Sequence, residues 1–198
     1  SAGAMFGYTQ QEILTIFAKR LEDIAKKCGT KEDKKISTSE VMRRMATYYN
    51  GYKFYEDGAS VYNPWSTLRF LDAGKLENYW YESGSPSLLI NQMLADPDRF
   101  DLNMDNLQIE ATREDFMYTG SRNEISLKAL MFQTGYLTID SYGPSTGVYK
   151  LKFPNQEVAK AFAQKIQDTL ERCVKDYFIQ ERDKIRSALA GKKIRSFI

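Results

Sequence analysis

The stretch "YYNGYKFYEDGASVYNPWSTLRFLDAG", Tyr48 to Gly74, decides how this chain divides into elements. It holds five tyrosines, a tryptophan, a proline and the glycines Gly51, Gly58 and Gly74. That density of aromatics suits either a stacking surface or a packed core, and the spacing of the punctuating residues favours the core. Asn50-Gly51 follows a helical apolar face, and both residues tolerate the left-handed conformation of a C-cap, so a helix ends there. The β-prone pieces Tyr52–Tyr55 and Ser60–Tyr62 flank Asp57-Gly58, which predicts a small hairpin. Asn63-Pro64 then opens a new helix: the Asn63 side chain caps, and Pro64 fits the first position, where a missing N–H costs nothing. Trp65, Leu68, Phe70 and Leu71 are expected to supply its apolar face as far as Gly74.

Working outward toward the N-terminus, Ser37-Thr-Ser-Glu40 is a capping-box pattern for the helix that Asn50-Gly51 ends, with Val41, Met45, Tyr48 and Tyr49 on its face. Thr9-Gln-Gln-Glu12 is another, and Ile13, Phe17, Leu21, Ile24 and Cys28 continue it as one helix stopping at Gly29. The charged "KEDKK" between the two helices is a solvated loop. "SAGAM" at the start carries no structural pattern and reads as a tag remnant.

Toward the C-terminus, Ser85-Pro86 opens a helix through Leu88, Leu89, Met93 and Leu94. Phe100 to Gly120 is irregular and acidic and is expected to be loop with short turns. Glu124–Thr134 is helical, carrying Ile125, Leu127, Leu130, Met131 and Phe132. Tyr136–Tyr142 and Val148–Phe153 flank Gly143-Pro-Ser-Thr-Gly147. In the second run Tyr149, Leu151 and Phe153 alternate with Lys150 and Lys152, the pattern of a hairpin with one face buried. Pro154-Asn155 leads into a long helix with Val158, Phe162, Ile166, Leu170, Val174 and Tyr177 at steps of three and four. A helix running directly into a hairpin resembles the recognition helix and wing of a winged helix. The expected fold is therefore mainly α: a helical domain with two short β-hairpins, the second in a winged-helix-like arrangement.

Composition narrows the function. The 198 residues are 42% apolar and 27% charged, ordinary for a globular protein, and the net charge of +2 does not by itself imply a nucleic-acid partner. No apolar run approaches the roughly 20 residues that span a bilayer, and no secretory signal is visible, so a cytoplasmic location without membrane contact is expected. Cys28 and Cys173 sit at apolar-periodic helix positions with no CxxC spacing and read as buried free thiols. The chain has no histidine, which removes Ser-His-Asp and Cys-His catalysis and most zinc sites.

The remaining chemistry is sparse. Neither "GTKEDKK" nor "TGSRNEIS" supplies the glycines and lysine of a phosphate-binding loop, whose backbone N–H groups cradle phosphates. Metal-dependent nuclease chemistry needs carboxylates and a lysine converging on a strand pair. The acids here lie on helical faces or between Asp96 and Asp115, where Asp101, Asp105 and Glu110 lack the spacing of a calcium loop. Tyr48, Tyr49, Tyr52, Phe54, Tyr55, Tyr62 and Trp65 are interleaved with a single basic residue, Lys53, which fits packing better than base stacking. On the wing, Lys150 and Lys152, with Arg122 and Lys128 nearby, are candidates for phosphate contact or ordinary exposed side chains.

One resemblance covers most of Phe6 to Val158. "FGYTQQEI", "YYNGYKF", "VYNPWSTLRFL", "YWYESG", "FQTGYLTI" and "KFPNQEV" occur in the order of consecutive blocks of the bacterial AAA-ATPase-like family, which this chain resembles. Members of that family are predicted P-loop ATPases commonly fused to a C-terminal PD-(D/E)XK-type nuclease domain. The resemblance implies a chain taken from the middle of such a protein, with Walker motifs before "FGYTQQEI" and nuclease motifs after Ile198. No catalytic, cofactor or metal residue is carried over, and ATP and magnesium are expected only for the full-length parent. The matching residues Tyr49, Asn50, Gly51, Tyr52, Phe54, Tyr62, Asn63, Pro64 and Trp65 are expected to be structural.

The expected organisation is a helical region with the small hairpin over 6–96, an irregular acidic connection over 97–121, a winged-helix-like region with the long helix over 122–179, and a charged helical tail over 180–198. The expected function is that of the non-catalytic C-terminal portion of an AAA-ATPase-like protein, coupling a missing ATPase core to a nuclease domain or a nucleic acid. Two alternatives stay open: a stand-alone nucleic-acid-binding module using the wing and basic tail, and a protein-interaction or oligomerisation scaffold using the tail helix.

Overall fold

In the computed structural model, residues 6–27, 36–80, 89, 109–116 and 126–191 are described. The chain falls into two compact units, Ser1–Phe162 and Ala163–Ile198. It is mainly helical with one small antiparallel sheet.

The first helices form where the caps predict. The Thr9 hydroxyl accepts from the Glu12 N–H at 3.2 Å while the Glu12 carboxylate accepts from the Thr9 N–H at 2.8 Å, a complete capping box. The single helix expected beyond it is two, α1 (Gln10–Ile16) and α2 (Ala18–Lys27). The break is at Phe17, φ −112° and ψ 17°, whose ring meets Tyr8 edge-on at 5.8 Å. Hydrogen bonds run on across it, Phe17 N–H to Ile13 O and Leu21 N–H to Phe17 O, so the apolar periodicity survives and hides the kink. The Cys28 and Gly29 end of that expected helix lies outside the described residues.

Helix α3 (Thr38–Tyr49) is capped by Ser37. Its expected box is only half made: Ser37 accepts from the Glu40 N–H, but the Glu40 carboxylate turns to Arg43 and Arg44 instead. Val41, Met42, Met45 and Tyr49 are buried against Ile13, Leu21 and Ile24. Helix α4 (Pro64–Ala73) starts on Asn63, whose side chain accepts from the Ser66 N–H, and stops at Gly74 in the left-handed conformation. The Arg20 guanidinium of α2 donates to the carbonyls of Leu71 and Asp72, serving the free acceptors at that helix end.

The face that α4 buries differs from the expected one. Ser66, Thr67, Phe70 and Leu71 are buried, whereas Trp65 is 50% and Leu68 43% exposed. Positions i, i+1, i+4 and i+5 share one side of a helix, so burying Phe70 and Leu71 carries Ser66 and Thr67 inward with them.

Between Tyr49 and Asn63 the expected first hairpin is reduced to isolated bridges. Tyr52 and Val61 exchange N–H···O bonds at 3.2 and 2.9 Å, and Tyr8 and Tyr62 form a second bridge. The helix expected from Ser85-Pro86 lies outside the described residues except for Leu89, which is helical and buried.

The acidic connection contains regular structure that its composition hid. Strand β1 (Ile109–Thr112) and a short helix α5 (Arg113–Phe116) lie within it. Helix α6 (Leu127–Gln133), capped by Ser126, leads into β2 (Thr138–Gly143) and β3 (Val148–Lys152). The sheet order is β1-β3-β2, all antiparallel, with a register shift in β2 between Ile139 and Ser141. Ile109-Glu-Ala-Thr112 is weak as an isolated strand; pairing with β3, Ala111 opposite Tyr149, makes it one.

Helix α7 (Gln156–Gly191) begins in the first unit, where Val158 and Phe162 are fully buried. In the second unit the rest of the predicted stripe is largely in water: Leu170 is 47%, Val174 54% and Tyr177 62% exposed. Cys173, expected to be buried, is exposed there as a free thiol. A step of three and four marks one helix face; it does not supply a partner to cover that face.

Candidate functional site

The sequence blocks that carry the family resemblance meet around one buried polar centre in the first unit. Asn50 caps the C-terminus of α3, and its carbonyl accepts from the Asn155 side-chain amide at 2.9 Å. Gly51, at φ 102°, lies against Pro154. Asn155 in turn accepts from the Val158 N–H at 3.1 Å, capping α7. "YYNGYKF" and "KFPNQEV" are thereby joined backbone to side chain across a hundred residues of sequence.

The other blocks close the ring. Lys53 N–H donates to the Thr138 hydroxyl at 2.6 Å, and that hydroxyl donates back to the Lys53 carbonyl at 3.0 Å, fastening "YYNGYKF" to "FQTGYLTI". Trp80 stands edge-on to Tyr136 at 4.7 Å, and Tyr136 to Phe162 at 5.4 Å. Trp80 N–H donates to Glu157 Oε1 at 2.9 Å, which ties Tyr79-Trp80, the described part of "YWYESG", to the first turn of α7. Tyr8 bridges to Tyr62, where Gly7 leaves no room for a side chain: a Cβ would stand 2.5 Å from the Tyr62 carbonyl.

Within this junction lie buried polar atoms without hydrogen-bond partners: Tyr52 OH, Tyr62 OH, Ser66 Oγ, Thr67 Oγ1 and Glu157 Oε2. The side chains of Asn63 and Asn155 neighbour the Tyr52 hydroxyl, Asn50 that of Tyr62, and Ser66 the Glu157 carboxyl, all short of full hydrogen-bond geometry. Burial pushes the Tyr52 and Tyr49 hydroxyls well above the usual phenol range. It also raises the Glu157 carboxyl to about 7, against the opposing pull of the Trp80 N–H.

The nine motif residues divide by environment. Tyr49, Tyr52 and Tyr62 are buried, Asn50 and Asn63 cap helices, Pro64 is the first residue of α4, and Phe54 packs on Phe6 and Tyr52 at 5.5 and 6.4 Å. Trp65 is the exception, half exposed with the Arg69 guanidinium 5.7 Å from its ring centre. The sequence marks Pro154-Asn155 only as the lead into the long helix, and it singles out none of Glu157, Ser66 and Thr67. A carboxylate beside Val158 carries no local signal of burial.

Of the basic candidates, Arg122 lies outside the described residues. Lys128 donates to the Glu110 carbonyl at 2.7 Å, Lys152 pairs with Asp140 at 2.5 Å, and Lys150 is exposed. The structure sets Lys150 and Lys152 on one face of β3 and Lys128 beside β1, so the three share the sheet region without converging on one point. On the opposite face of β3, the Tyr149 hydroxyl donates to the Glu56 carboxylate, and that bond holds the phenol up at about 12. Among the described residues no group of three His, Cys, Asp or Glu is placed to hold a metal ion, and no helix is long and apolar enough to cross a membrane.

An uncharacterized protein in the vnfD 5′ region of Azotobacter chroococcum mcd 1 is similar to this chain, 31% identical over 157 residues. The match takes in 78% of this chain, which spans about a quarter (26%) of that relative's length. The chain matches no protein-family profile and no solved structure.

Proposed function

We propose that this chain is a non-catalytic portion of a larger AAA-ATPase-like protein, coupling an ATPase core to a nuclease domain or a nucleic acid. The convergence of the six sequence blocks on one junction carries this reading. Their asparagines, glycines and aromatics cap helices, bridge segments and fill a core, which is what a rigid connecting body needs. The similarity of most of the chain to a quarter of a longer protein supports it as well. The order α6-β2-β3, with β1 on the far edge of β3, supports a winged-helix-like surface as the contact for nuclease domain or nucleic acid.

Two measurements test the reading. The isolated chain is expected neither to bind nor to hydrolyse ATP; turnover that persists through rigorous purification defeats the proposal. Contact with nucleic acid through the wing is expected to give a salt-dependent mobility shift that Lys150→Glu with Lys152→Glu weakens. No shift at low salt removes the nucleic-acid branch.

A second reading, a protein-interaction scaffold, is favoured by the outer part of α7. Leu170, Val174, Tyr177, Phe178 and Ile179 are each between 37% and 66% exposed on one helix. Light scattering of the chain with and without residues 180–198 tests self-association through that helix.

A further inference from the structure

Among the described residues, Glu157 is the one buried carboxylate, and its surroundings are unusual for a charged group. It is fully buried. Oε1 accepts from the Trp80 N–H at 2.9 Å, whereas Oε2 has no partner. Facing it are Tyr49 from α3, Tyr52 from the bridged segment, Ser66 from α4, and the backbone of Tyr79 and Trp80. Among the described residues, two cations of the same elements are engaged elsewhere. Lys160, one turn along α7, donates to the Tyr48 hydroxyl at 2.7 Å. Arg69 lies over the rings of Trp65 and Tyr79, 5.7 and 5.6 Å from their centres.

Two effects oppose each other here. A position in the first turn of α7, the Trp80 and Tyr79 backbones and the Ser66 hydroxyl favour the anion. Complete burial, with no ion pair among the described residues, disfavours it, and by more. The neutral acid carries no charge that needs compensating, and it leaves Oε1 to hold the Trp80 amide.

We propose that the Glu157 carboxyl is a proton-binding latch of the junction. While the carboxyl holds its proton, Oε1 keeps the Trp80 amide, so the first turn of α7 and the Tyr79–Trp80 segment are tied through one side chain. The proton comes from and returns to bulk water. Once it has left, the uncompensated charge draws water into the junction and the Trp80 amide loses its protection. The carboxyl's position near neutrality agrees with this, since burial holds it at about 7.

The test follows Glu157 and Trp80 by NMR in the intact chain. The Glu157 carboxyl carbon is expected to titrate well above the ordinary carboxylate range. Exchange of the Trp80 amide, corrected for intrinsic base catalysis, is expected to rise about tenfold or more as that carboxyl loses its proton. In Glu157→Gln, which is neutral at every pH and keeps both a donor and an acceptor, the corrected exchange is expected to stay flat. A carboxyl carbon titrating at or below the ordinary range overturns the proposal, and so does a Gln variant that follows the wild-type pH course. If the variant does not fold, the wild-type carboxyl titration decides alone.

Discussion

Gly51 and Pro154 touch backbone to backbone: a Cβ placed on Gly51 would stand 1.9 Å from the Pro154 carbonyl oxygen. Gly51 also has φ 102°, where a side chain is strained in any space. Gly51→Ala is therefore expected to destabilise the chain by about 3 kcal/mol or more, read as a lowered urea midpoint. A change below about 0.5 kcal/mol would mean that the two blocks do not meet this closely.

The Tyr49 hydroxyl accepts from the Glu77 N–H at 3.1 Å and donates to the Glu77 carbonyl at 3.0 Å. Its ring is fully buried between Phe70 and Tyr79. Tyr49→Phe keeps the ring and removes both bonds, and is expected to lower stability by about 1–2 kcal/mol. Chemical denaturation measures the loss; an unchanged midpoint would assign the hydroxyl no structural part.

Phe162 and Phe178 lie on the same helix in opposite environments, one fully buried and the other 66% exposed. Phe162→Ala is expected to lose about 3–5 kcal/mol through the cavity beside Tyr136 and Phe153. Phe178→Ala is expected to stay within about 0.5 kcal/mol at low protein concentration. Equal losses at the two sites, by thermal or urea unfolding, would contradict the exposure of the outer helix.

Stability is expected to fall as pH rises from the ordinary carboxylate range through about 7, because the folded chain holds on Glu157 a proton that the unfolded chain has lost. The effect is fully present below about pH 4.5 and gone above the folded value, with a magnitude on the order of 3 kcal/mol. Glu12 and Glu40 act in the opposite direction, since hydrogen bonds lower both, but their window lies below pH 4.5. A urea midpoint that is flat or rising between about pH 5 and 8 would refute the expectation.

Local chemistry was legible from the sequence because it is local. Thr9, Ser37 and Asn63 cap helices, Gly74 ends α4, and Lys150 and Lys152 alternate with Tyr149 and Leu151 on β3, as side-chain reach and period dictate. Mainly helical architecture with a small antiparallel sheet follows from those signals. What they leave undecided is which face of α4 turns inward, whether Ile109–Thr112 finds a strand to pair with, and how much of α7 is covered. Each of these depends on a partner far along the chain: Phe70 and Leu71 packing inward, β3 beside β1, or neighbours that Phe162 has and Tyr177 lacks. Asn155 reaching Asn50 and Glu157 reaching Trp80 belong to the same class. Sequence by itself determined the start and stop of elements, since caps and turns are set within a few bonds. Only the tertiary structure decided that blocks from Tyr8 to Glu157 enclose one buried carboxyl, because desolvation is a property of everything packed around a group.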